Sequence, residues 1–120
     1  MSEKANSSAK LSPEELLEAC RIDECPVTAT MQVIGGKWKP TAIYALGLAG
    51  SLRFGELRRA IPQVTQKMLT QQLRELEADG IVWREIYAEV PPRVEYGLTD
   101  KGMTLQKVMA ALADWGRAHG

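Results

Sequence analysis

Lys67, Gln71 and Arg74 stand at i, i+4 and i+7, a spacing that gathers all three on one side of a helix. Gln66 and Thr70 lie beside them. These side chains are donors, acceptors and fixed positive charges. Glutamine can present an acceptor and a donor together to an adenine edge. Arginine or lysine can do the same for guanine, or hold a phosphate oxygen. The chemistry on offer is recognition, not bond-making. The bland alternative is an ordinary solvated helix face, which draws on the same residue types.

Such a face must be held by a buried one. Leu69, Leu73 and Leu76 form an inward stripe on the same stretch, and Thr65 can cap its start by accepting a first-turn amide. Asp79-Gly80 ends it, glycine suiting the left-handed position after a helix. Upstream, Phe54, Leu57 and Ile61 repeat at helical spacing, and Pro62-Gln63-Val64 interrupts them because proline cannot continue a helix. Two short helices about a tight turn, the second with an outward polar face, predict a helix-turn-helix over residues 54–79.

Charge favours this segment. The 120 residues carry no net charge, yet residues 37–74 hold seven basic side chains against Glu56 alone, a net of +6, and the flanking stretches carry −3 each. Phosphate contact needs a local basic patch, not a basic chain. Arg53 and Lys39 are placed to touch phosphate, or to serve as solvated rim residues.

The length suits one domain, expected over residues 12–120 behind a polar, disordered tail at 1–11. Ser12-Pro13-Glu14-Glu15 opens a first helix bearing Leu16 and Leu17, and Cys25-Pro26 opens a second with Val27, Met31 and Ile34 on one face. Gly35-Gly36 closes that helix, Lys37-Trp38-Lys39-Pro40 begins a third, and Leu52-Arg53-Phe54 can form a very short strand. After residue 80, Ile81–Tyr87 and Arg93–Leu98 read as two antiparallel strands. This hairpin is a wing over residues 81–98. Arg93 near its tip is a candidate for the minor groove or a flanking phosphate, the alternative being a salt bridge to Glu89 or Glu95. A last helix is expected over residues 100–117. Its apolar stripe of Leu105, Val108, Met109, Leu112 and Trp115, with Leu16 and Leu17, is the predicted dimer interface. The fold class is mainly α with a small β-hairpin wing: a winged helix-turn-helix with dimerisation helices at both ends.

Several blocks then combine: Cys-Pro at 25–26, Ile-Gly-Gly-Lys-Trp at 34–38, Pro-Gln-Val-Thr-Gln-Lys-Met-Leu at 62–69, Pro-Pro-Arg-Val-Glu-Tyr at 91–96 and Leu-Thr-Asp-Lys-Gly at 98–102. Together they resemble the HxlR-type family of bacterial winged helix-turn-helix transcription regulators, over roughly Cys25 to Trp115. The resemblance implies a homodimer on double-stranded, inverted-repeat operator DNA, with Thr65, Gln66, Lys67, Thr70, Gln71 and Arg74 entering the major groove. A repressor is the expected sense of regulation. The resemblance also makes Cys25 a candidate sensor of quinones, aldehydes or oxidants, or leaves the signal to a small-molecule effector. A helix N-terminus favours thiolate at Cys25, Asp23 and Glu24 oppose it, and a small packing residue is the alternative. Cys20 could resolve an oxidised Cys25 only if the turn brings the sulfurs together.

Other classes find little support. His119 at the tail, no glycine-rich phosphate loop and no Ser/His/Asp grouping argue against an enzyme. Two cysteines and one distant histidine cannot make a four-ligand zinc site, and nothing calls for a cofactor. No apolar run approaches the ~20 residues a membrane helix needs and no signal core appears, so no membrane partner and a cytoplasmic location are expected. The remaining rival is a winged helix that binds proteins without specific DNA binding.

Overall fold

Helix α1, Pro13–Ala19, starts as its sequence dictates. The Glu15 amide donates to Ser12 Oγ at 3.2 Å and the Ser12 amide to Glu15 Oε1 at 2.8 Å, a reciprocal capping box. The computed structural model describes residues 10–19 and 25–120. The expected tail lies mostly outside these residues, as does Cys20, and the Leu17 side chain is also outside them. The chain forms two compact units, residues 1–33 and 34–120.

Helix α2, Pro26–Ile34, begins at Cys25, whose carbonyl accepts the Ala29 amide at 2.9 Å. Its expected apolar face is uneven: Ile34 is buried, whereas Val27 and Met31 are exposed.

The second unit holds the core. Helix α3 (Lys39–Ala49) and strand β1 (Ser51–Arg53) lead into α4 (Phe54–Ala60) and α5 (Gln66–Ala78). Between α4 and α5 the chain turns with Ile61 and Val64 buried and Pro62 and Gln63 exposed; the Val64 amide donates to the Ile61 carbonyl at 3.1 Å. Two apolar anchors therefore fix the angle of the turn. Leu57, Leu69, Leu73 and Leu76 are fully buried with Ile43 and Leu46 of α3. Each contributes about 1.5–3 kcal/mol by leaving water. Phe54, expected in this face, is only half-buried.

The wing strands are β2 (Val82–Tyr87) and β3 (Arg93–Leu98), antiparallel, with Tyr87 opposite Arg93. They do not stand alone. β1 pairs with the other edge of β3, Leu52 opposite Tyr96, so the sheet order is β1-β3-β2. The wing is thereby tied to the residues that start α4.

The last helix is not continuous. A short α6 (Asp100–Met103) is followed by a turn at Thr104-Leu105 and then α7 (Gln106–His119). There the Thr104 amide reaches back to Lys101 O at 3.2 Å and the Leu105 amide to Gly102 O at 3.0 Å, a three-residue spacing that tightens the chain before α7 restarts. Gly102 is held against the carbonyl of Ile81, so the first turn is fixed to the start of β2. α7 packs on α3, with Gln106 Nε2 donating to Gly47 O at 3.1 Å. Among the described residues, no helix is long and apolar enough to cross a membrane.

Candidate nucleic-acid interface

Thr65 caps α5 by accepting the Met68 amide at 3.1 Å, which leaves other first-turn amides directed outward. Behind this cap Gln66, Lys67, Gln71 and Arg74 are exposed, and Thr70 is half-buried with its hydroxyl donating to Gln66 O at 2.8 Å. The structure thus brings the expected recognition residues to one accessible face. Thr70 keeps only its acceptor capacity for a base, because its proton is used within the helix.

α4 extends this face with cations. Arg58 and Arg59 are exposed and, with Phe54, Gly55, Pro62 and Gln66, line a shallow groove beside the start of α5. In the sequence these two arginines stand out only as part of the charge excess of residues 37–74. The available signal was their position: Leu57 faces inward, so the next two residues of a short helix must face out. Arg53 is exposed beside a second groove between the start of α4 and the wing loop. Among the described residues Arg53, Arg58, Arg59, Lys67 and Arg74 enter no ion pair. Five cations on one motif are therefore available to an anionic partner.

Two expected contacts are corrected. Lys39 is 6% exposed, and its Nζ lies 2.6 Å from Glu75 Oε1. A buried ammonium is costly unless paired, so the α5 carboxylate fixes Lys39 inside and removes it from any phosphate rim. Hydrogen bonds from Lys39 and then Gln71 hold the Glu75 carboxyl below its ordinary range. Arg93, expected to reach the minor groove, follows the alternative. Its guanidinium pairs with Glu89 at 2.8 Å and Glu95 at 2.5 Å, and stacks 4.0 Å from the centre of the Tyr87 ring. It braces the wing from within. The loop it braces, Ala88 to Pro92, carries Glu89 and no cation.

The expected dimer stripe is also divided. Met109 is buried against α3, in a groove with Ile43, Tyr44 and Leu48, so it belongs to the chain's own core. Leu105 and Val108 are half-buried, whereas Leu112, Trp115 and Leu16 are exposed. Cys25 is buried at 4% exposure.

The chain is similar to known helix-turn-helix regulators. The HxlR-like helix-turn-helix family matches residues 33–120. The HTH-type transcriptional regulator YybR of Bacillus subtilis is 54% identical over 95 residues, 79% of this chain and 75% of its own. An HTH-type regulator of Methanothermobacter thermautotrophicus is 50% identical over 96 residues, 80% and 72% of the two chains. Among solved structures, the oxidised form of the redox regulator HypR superposes with a TM-score of 0.76 at 53% identity, covering 80% of this chain and 98% of that one.

Proposed function

The chain belongs to the HxlR-like helix-turn-helix family of DNA-binding transcriptional regulators, and from that premise we propose how it reads DNA: as a cytoplasmic homodimer, and a repressor, that lays α5 in the major groove of an inverted-repeat operator. The observation that carries this is the capped, exposed polar face of α5 flanked by the exposed cations of α4, which enter no ion pair. Gln71 and Arg74 are the base readers, with Gln66 and the acceptor of Thr70 beside them. Lys67, Arg53, Arg58 and Arg59 are the phosphate contacts, and the amides behind Thr65 anchor the backbone. The exposed Leu112 and Trp115 of α7 support a partner subunit on that side, with Leu16 of α1 as a further candidate. A two-fold dimer spaces its reading helices about 34 Å apart, hence the inverted repeat.

The test uses duplex DNA flanking the protein's own coding region against scrambled duplex. Gln71→Ala is expected to lower discrimination by about 1–3 kcal/mol while nonspecific affinity stays the same. Sedimentation at micromolar concentration is expected to give a dimer. Unchanged discrimination in Gln71→Ala removes that base reader, and a monomer removes the two-fold operator.

A thiol input is a second reading, favoured by the likeness to the redox regulator HypR and by the position of Cys25 at the start of α2. A buried thiol needs local opening before an oxidant reaches it. Diamide is expected to change operator binding of the native chain but not of Cys25→Ser; equal responses in both place the input elsewhere.

A further inference from the structure

We propose that Lys39, which cannot itself reach DNA, is a positioning residue that sets the donor–acceptor order of the Gln71 amide through Glu75. The inference rests on the reading that the outward face of α5 contacts bases. Its basis is a chain of three side chains across two helices. Lys39 Nζ meets Glu75 Oε1 at 2.6 Å, and the other oxygen of the same carboxylate accepts Gln71 Nε2 at 3.3 Å.

The chemistry of a carboxylate makes this chain directional. An ionised glutamate only accepts, whereas a glutamine amide has a donating end and an accepting end. Glu75 therefore draws the Gln71 nitrogen toward itself and leaves the oxygen outward. The nitrogen's second proton, on the same side as that oxygen, remains for a base. Reading adenine needs both groups in a fixed order, so a pre-set amide discriminates better than one free to flip. The Glu75 side chain is 46% exposed and would move among several rotamers alone. Lys39, whose side chain is 8% exposed, supplies the fixed point.

A second contact supports the same path. Gln72, next along α5, packs its amide on the turn before α3. A Cβ added at Gly36 would lie 3.2 Å from Gln72 Nε2, and Gly36 has φ +106°, where a side chain is strained. The start of α3 and the turn before it thus hold Glu75 and Gln72, two residues of α5 about one turn apart. The reading face is set from α3, by residues outside any DNA contact.

The experiment selects a randomised duplex library with the full chain, then measures binding to the selected sequence and to each single-base change. Gln71→Ala identifies the base pair that Gln71 reads. Lys39→Met keeps the chain length but removes the charge, and is expected to lose roughly tenfold preference at that same base pair, the scale of one bidentate contact. Nonspecific affinity stays the same, Lys39→Arg restores the preference, and Lys39→Met adds nothing to Gln71→Ala. Glu75→Gln gives an independent readout should Lys39→Met fold poorly. The amide introduced there keeps its oxygen on Lys39 and turns its nitrogen to Gln71, so the preferred base at that position changes. Unaltered preference in both Lys39→Met and Glu75→Gln, with Gln71→Ala effective, overturns the positioning role and leaves the reading of α5 intact. A Gln71→Ala variant that alters no position overturns both.

Discussion

Replacing Gly102 with alanine is expected to cost about 3 kcal/mol and lower Tm by roughly 10–15 °C, a large effect for one methyl group. The methyl carbon would sit 2.1 Å from the carbonyl oxygen of Ile81 and 3.1 Å from its carbon. That oxygen cannot withdraw freely. It accepts the Thr99 amide at 3.0 Å and the Thr99 hydroxyl at 3.2 Å, while the same hydroxyl also donates to Gly80 O. The knot includes the end of α5. Gly80, at φ +74°, turns the chain out of the helix, the Ile81 amide returns to Leu76 O at 2.9 Å, and Lys101 Nζ holds Asp79 O at 3.0 Å. Relief of the clash must shift the end of α5, the start of β2 or the start of α6. Gly116→Ala is the matched control, since a Cβ there meets nothing within 4 Å. In a helix interior it is expected to stabilise by about 0.5–1 kcal/mol. Thermal unfolding of the two variants checks the contrast; a Gly102→Ala protein within 1 °C of the native chain means the contact is not tight.

The elements best foreseen from the sequence are those written locally. Ser12 with Glu15, Thr65 before Met68 and Gly80 after Ala78 are caps whose partners lie within four residues, and all three form. The misreadings share a different origin. Lys39 sits in a run of Lys37-Trp38-Lys39-Pro40 that looks like a basic surface, and the carboxylate that buries it lies at position 75. Helical spacing predicts that Gln71 and Glu75 are neighbours, but not that a cation from another helix lies beside them. The placement of α6 also rests on a remote contact, that of Gly102 with Ile81. Met109 shares a helical stripe with Leu112 and Trp115, yet only the packing of α7 on α3 tells which of them the chain buries itself. Arg93 had two local carboxylates within reach, so its alternative was visible; the ring of Tyr87 opposite it tips the balance toward the brace.

The interface has a correspondingly measurable electrostatic signature. Arg58→Gln/Arg59→Gln is expected to weaken binding to operator and scrambled duplex alike, by roughly 10³-fold at 0.1 M salt if the protein binds as a dimer. Each phosphate contact releases condensed counterions and contributes about 0.9 to the slope of log affinity against log salt. Two arginines per subunit, used twice in a dimer, thus reduce the slope by about 3.6, whereas a monomer gives about 1.8. Folding should tolerate the change. Both residues are exposed and enter no ion pair, and glutamine is a comparable helix former, so the cost is confined to lost charge at the end of α4, about 0.3–1 kcal/mol. Arg93→Gln provides the opposite case: its charge is already met by Glu89 and Glu95, so the salt slope should hardly move. The slope also separates DNA recognition from a protein-docking winged helix, because docking a protein releases no phosphate-bound counterions. A native chain whose duplex affinity ignores salt is such a docking module. A native slope that survives Arg58→Gln/Arg59→Gln unchanged moves the phosphate contacts off α4, leaving Lys67 and Arg53 to carry them.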